Sequence, residues 1–279
     1  AAGMGVLWVF LAARHRVGVF VAVLGIGIAS GLVNAFTGTG GFLGVIYAVS
    51  NAGQSWVALV VFRHIQKRIG RSTWWRMRAV TDIVALSAAA VAGVGSVLLL
   101  APAATSIVND LDYVPVAAVW LLRNVAGILL IVPLAMRLLD PRLKPASRIE
   151  NAWRQRTPEL IAILILTAVT YTAVYGTSSA FTLSFLPMGL TIWAAVRLDT
   201  TVAGMHALLS SALVVVLTLV GLGPFAELEA FDRALVAQAY VVAYLVFTWL
   251  IASQRDELAG LLDDVRSSRA EVMKQAELL

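Results

Sequence analysis

The chain has 279 residues, of which 60% are hydrophobic and 13% charged. A soluble domain carries about a quarter charged residues, so little of this chain is built to meet water. The net charge of +5 does not mark a nucleic-acid-binding face, because the bases sit in loops between apolar runs, and the absence of cysteine excludes disulfides and thiolate metal sites.

In chain order the apolar runs fall at roughly 3–13, 17–36, 40–62, 80–101, 114–136, 158–176, 181–196, 201–222 and 232–252. Most approach the ~20 residues that cross a bilayer core, and each is expected to be a helix, since an open strand in lipid leaves backbone groups unsatisfied. The first and seventh runs are short. The expected fold is therefore all-α, a polytopic transmembrane helical bundle of about nine helices. Residues 1–252 form the membrane domain and 253–279 a cytoplasmic helical linker. The apolar start without a signal-peptide pattern, and the charged tail without a helix cap, lead us to expect that both ends continue in a longer protein.

Charge sets the orientation. All but two of the 21 basic residues, Arg123 and Arg233, fall on one side if every run crosses. The opposite loops hold Asp110, Asp112, Glu227, Glu229 and Asp232. The positive-inside rule puts the basic side, and with it the C-terminus, in the cytoplasm. The loop 67–78 also carries Trp74 and Trp75, suited to lying against anionic headgroups, although topological anchoring suffices to explain it. Asp82 is expected to pair with arginines of that loop.

From Ala226 onward there is no proline and a single glycine, Gly260, so the ninth span can run into the tail as one helix. Ile251, Leu258, Val265, Val272 and Leu279 recur every seven residues, the spacing of one coiled-coil core row. The companion row is weaker, with Leu261 followed by Ser268 and Gln275. The row points to a homodimer through this helix, against the alternative of a solvated monomeric helix end.

Several motifs then fit a known pattern. Phe185-Leu186-Pro187 followed by Trp193-Ala194-Ala195-Val196-Arg197 resembles the Pro…Trp-Ala-x-x-Arg segment of the first family of bacterial membrane-associated sensor (MASE) domains. Gly221-Leu222-Gly223-Pro224-Phe225 is similar to that family's Gly-x-Gly-Pro-Phe loop. Trp120, Gly127 and Pro133 match its Trp…Gly…Pro helix, and Asn34 and Asn51 its asparagines. The resemblance implies an input domain of the bacterial cytoplasmic membrane, placed before a histidine kinase, PAS domain, diguanylate cyclase or cyclic di-GMP phosphodiesterase. It implies no catalysis within this chain. Gln54 and Asn124 are amides where the family often has carboxylates, and Arg123 replaces a small residue.

Arg123 lies well inside the fifth run, where a charge costs several kcal/mol unless paired or hydrated. It is either an anion-binding or switch residue, or a structural partner to a carbonyl or an acid. Asn51 with Gln54, Trp120 with Asn124, and His206 with Ser210 each share a helix face by their spacing. With Asn34, Tyr171 and Tyr175 they could line a small-molecule cavity, or act as interhelical hydrogen bonds worth about 1 kcal/mol each. Trp193 and Arg197 join the candidates through the family motif. His206 has no second histidine or cysteine at ligand spacing, so no metal or cofactor is expected. Pro133 and Pro187 are expected to kink their spans. The partners foreseen are the lipid bilayer, a second copy and an unidentified small ligand. The rival function is a small-molecule transporter or membrane-embedded binding protein. A membrane enzyme would need clustered acids or a nucleophile with its base, which the sequence lacks.

Overall fold

The computed structural model describes residues 2–13, 15–70, 77, 79–139, 147–176 and 183–276. The expectations placed on Arg71, Trp74, Trp75, Arg76, Arg78, Arg142, Lys144 and Leu279 lie outside the described residues. Among the described residues there are ten helices and no strand. In chain order these are α1 (Ala2–Ala12), α2 (Arg16–Phe36), α3 (Gly41–Arg68), α4 (Val80–Gly95) and α5 (Ala101–Asn109). They continue with α6 (Tyr113–Leu138), α7 (Ser147–Tyr175), α8 (Leu186–Arg197), α9 (Thr200–Leu219) and α10 (Ala230–Ala276).

Six of them, α2, α3, α6, α7, α9 and α10, are long and apolar enough to cross a membrane. α1, α4 and α8 are shorter, at 11, 16 and 12 residues. The apolar run 80–101 departs from expectation: α4 stops at Gly95, a turn follows, and α5 begins with Pro102 in its first turn. Proline lacks the N–H a helix interior needs and is suited to a helix start, so the run is split. Asp110 then ends α5 in the left-handed conformation (φ 51°), which Asp tolerates better than most residues. Pro187 corrects another expectation. It sits in the first turn of α8, where it starts a helix instead of kinking one. Asp82 caps its own helix, its carboxylate accepting from the Ala79 N–H at 3.0 Å and from Gln66 Nε2 at 2.9 Å.

The main core lies where α1, α3, α4, α6 and α10 meet, around Phe10, Leu59, Phe62, Leu86, Leu129, Tyr244 and Trp249. α3 packs most extensively on α4 and α2, and α10 on α9 and α6. Small residues set the closest approaches. A Cβ on Gly93 of α4 would come within 2.6 Å of the Gln54 carbonyl of α3, so only glycine permits that crossing. α2 is peripheral, with only Ala22 and Ile26 buried, and it turns Phe20, Leu24, Ile28 and Leu32 outward.

One backbone defect ties the bundle together. Pro133 lies inside α6 and has no N–H to give to the carbonyl of Leu129, four residues back. The indole Nε1 of Trp249 on α10 donates to that carbonyl at 2.8 Å. A buried polar group is thereby satisfied by the neighbouring helix.

Candidate functional site

The residues singled out from sequence separate into four places. The first is a cavity of about 1020 Å³ between α1, α2, α3, α5 and α6, lined by Asn34, Asn51, Trp120, Arg123 and Asn124 among others. Its polar wall is largely satisfied from within. Asn51 Nδ2 donates to Ser30 Oγ at 2.7 Å, and Asn34 Nδ2 to the Ser30 carbonyl at 2.7 Å. Tyr47 and Thr105 share a hydroxyl–hydroxyl bond of 2.8 Å, and Asn124 Nδ2 donates to the Trp120 carbonyl at 2.8 Å. Gln54 stands behind this wall, fully buried, and donates to Asn51 Oδ1 at 2.8 Å.

Arg123 is the exception. It lies near the middle of α6 and is exposed to the cavity. Among the described residues it has neither a carboxylate at ion-pair distance nor a hydrogen-bond acceptor. The contact it makes is with the face of Trp120, 5.2 Å from guanidinium carbon to ring centroid. The Trp120 indole nitrogen is itself buried without an acceptor.

The second place is a buried chain of hydroxyls around His206, which lies on α9. Thr167 Oγ1 donates to the Ile163 carbonyl at 2.7 Å, so its oxygen is left to accept from His206 Nε2 at 2.9 Å. That leaves Nδ1 to accept from Thr191 Oγ1 at 2.8 Å, and Thr191 in turn meets the Tyr244 hydroxyl at 2.5 Å. The pattern assigns a neutral imidazole with both nitrogens engaged. Tyr171 closes the cluster by donating to the Ser210 carbonyl at 2.9 Å. The chain links α7, α8, α9 and α10, and it lies apart from the Arg123 cavity.

Trp193 and Arg197 mark the third place, the end of α8. Arg197 Nε pairs with Glu159 Oε1 of α7 at 2.7 Å, and Arg156 Nη1 donates to the Arg197 carbonyl at 2.6 Å. The Arg197 side chain is 60% exposed, so solvent screens this pair and it adds little to stability. Trp193 packs beside Ile163, Ala194 and Leu198.

The fourth place is the exit helix. Ile251 packs against Ala195, Ala203 and Ala252 within the bundle, whereas Leu258, Val265 and Val272 are all exposed. Between these two stretches lies a collar that the sequence reading missed. Arg137 at the end of α6 is 3% exposed, and its Nη1 meets Asp256 Oδ2 of α10 at 2.7 Å. Asp256 Oδ1 accepts from Thr200 Oγ1 of α9 at 2.7 Å and from Arg255 Nη2 at 2.9 Å. Arg255 also donates to the Ala195 carbonyl of α8 at 3.3 Å. Burial alone would raise the Asp256 pKa, but Arg137, with Thr200 and Arg255, holds it below the ordinary carboxylate value. Nothing in the sequence distinguishes Arg137 from the loop arginines around it, because its partner lies more than a hundred residues away.

Comparison with protein-family models, curated proteins and solved structures finds no match to this chain.

Proposed function

We propose that the chain is the membrane-embedded sensory input domain of a bacterial signal-transduction protein, passing a stimulus through α10 to a cytoplasmic output. The observation that carries this reading is the continuity of α10. One helix of 47 residues contributes Tyr244, Leu245 and Trp249 to the core, passes the Asp256 collar, and then runs on with Leu258, Val265 and Val272 exposed. A helix that needs only to cross a bilayer stops after ~20 residues. The exposed seven-residue row fits pairing with a second copy, and a parallel pair transmits rotation or register shifts.

Other features support the same reading. Contacts pair helix ends in the sense that alternating crossings require. Arg137 at the end of α6 reaches Asp256, Arg197 at the end of α8 reaches Glu159, and Gln66 near the end of α3 reaches Asp82 at the start of α4. Arg63 of α3 likewise donates to the carbonyl of Ala13, just after α1. These are the ends to which the basic clusters belong. The resemblance to MASE domains points to histidine kinase or cyclic di-GMP outputs, with all catalysis outside this chain, in the inner membrane with a cytoplasmic C-terminus.

Because the chain has no cysteine, single-cysteine variants test the proposal cleanly. Cysteine at Glu227 is expected to react with an impermeant reagent added outside cells, and cysteine at Ser267 not to. Cysteines at Leu258 and Val265 should cross-link between copies, and cysteine at Ser267, off the row, should not. Reversed labelling, or indiscriminate cross-linking, removes the reading. A second reading, a transporter or membrane-embedded binding protein, is favoured by the Arg123 cavity. Substrate uptake by proteoliposomes holding this chain alone would establish it.

A further inference from the structure

We infer that the Arg123 cavity is a binding site for an amphiphilic anion, a single carboxylate or phosphate head on an apolar body. The inference rests on the sensor reading and names the class of ligand for it. Among the described residues that line the cavity, Arg123 is the only charged one. A guanidinium presents five N–H donors, and at this depth in a helical bundle a charge persists where it faces water or a partner, as Arg123 faces the cavity. Among the described residues no acceptor meets them, and the stacked Trp120 ring takes up only one face. The second unmatched group is also a donor, the buried Trp120 Nε1. Two donors without acceptors, one of them cationic, ask for an acceptor with negative charge.

The wall itself holds no carboxylate among the described residues. Asn51, Asn34 and Tyr47 already spend hydrogen bonds on Ser30 and Thr105, so they are poorly placed to neutralise Arg123. Away from the guanidinium the lining is apolar, with Met4, Leu7, Trp8, Leu11, Ile26 and Val33. A charged head on Arg123 and an apolar body along α1 and α2 would match both parts. The volume of about 1020 Å³ lies at the upper end of small-molecule sites. The head could belong to a bilayer lipid or to a free organic acid, since both present the same chemistry. A planar guanidinium accepts carboxylate or phosphate in two parallel hydrogen bonds, which a lysine cannot reproduce.

The test uses the full chain in phosphatidylcholine nanodiscs, titrated with decanoate and, as the uncharged control, decanol. Saturable decanoate binding is expected, weakened about tenfold or more by Arg123→Gln and less by Arg123→Lys, with decanol indifferent to both. Trp120→Phe, which removes the indole donor and keeps an aromatic face, should weaken decanoate about threefold or more, and it carries the test if the Arg123 variants do not fold. In a second arm the chain is prepared in phosphatidylglycerol and examined by native mass spectrometry. Retention of that lipid by the wild type, with loss in Arg123→Gln, assigns the head to the bilayer. Decanoate binding without lipid retention assigns it to a free anion. Binding of neither, or equal decanoate affinity in wild type and both Arg123→Gln and Trp120→Phe, overturns the inference. The sensor reading fails separately, through the labelling and cross-linking of α10, whatever the binding result.

Discussion

Around His206 both ring nitrogens are taken up by threonine hydroxyls, while the Arg123 guanidinium faces an open cavity with a tryptophan ring for company. The two residues look alike in sequence, each a lone titratable side chain inside an apolar run. Their immediate surroundings differ. Around His206 donor meets acceptor along a defined chain, and at the collar Arg137 Nη1 meets Asp256, although Arg137 Nε and Nη2 and the Ser211 and Ser253 hydroxyls are buried without a partner among the described residues. In the half bounded by α1, α2, α3, α5 and α6, Asn34, Asn51 and Tyr47 find partners, whereas Arg123 and the Trp120 indole nitrogen find none among the described residues. What separates a structural polar residue from a candidate binding residue is the state of its hydrogen bonds, and depth in the helix says little about it.

That contrast predicts an order of effects. The largest is expected for Asp256→Ala, which leaves Arg137 buried and uncompensated and should cost about 3 kcal/mol of stability. Thermal unfolding in detergent checks it, with Arg137→Ala/Asp256→Ala expected to cost less than the two single changes added together. The same pair gives a pH dependence. The folded pKa of Asp256 is depressed, so its stabilisation is present above the unfolded carboxylate pKa and is lost as pH falls below about 4. Asp256→Asn should flatten that acid limb, and an unchanged limb would mean the carboxylate is not held by Arg137.

Next comes His206→Phe, which removes the donor to Thr167 and the acceptor from Thr191 and should cost about 2 kcal/mol. A loss of only a few tenths would show that the hydroxyl chain re-pairs without the ring. Trp249→Phe keeps the ring volume class but removes the donor to the Leu129 carbonyl. We expect about 1 kcal/mol there, abolished in a Pro133→Ala background in which residue 133 regains its own N–H. Smallest of all is Arg123→Ala, expected to change stability by no more than about 0.5 kcal/mol in either direction while altering the output of a signalling fusion. If it destabilises the fold as much as His206→Phe does, the contrast between the two halves collapses.

Much of the helical layout was legible because apolar runs bounded by charge leave few alternatives. Asn51 with Gln54 and Trp120 with Asn124 were correctly grouped by spacing, since residues three and four apart share a helix face whatever lies opposite. Spacing says nothing of what does lie opposite. Spacing therefore leads to a single cavity for these residues and for Asn34, Tyr171 and Tyr175, whereas the structure divides them: Asn34, Asn51, Trp120 and Asn124 line one cavity, and Tyr171 lies beside Ser210 and His206, across from α9. Pro187 reads as a kink in a hydropathy run and turns out to begin a helix, because the run itself is broken upstream of it. Pro133 does announce that the Leu129 carbonyl needs a donor. Only the folded chain reveals that Trp249, 120 positions away in sequence, supplies it.

The collar at Asp256 has a mechanical consequence. Residues 257–276 extend for roughly 30 Å beyond it at 1.5 Å per residue, with no neighbouring helix among the described residues to steady Leu258, Val265 or Val272. The collar would then act as a fulcrum and the stretch beyond it as the long arm of a lever. A tilt of about 10° at Asp256 would swing the far end by about 5 Å, close to one helical pitch. A displacement too small to disturb the packed core around Trp249 would be magnified to about one pitch at the tip.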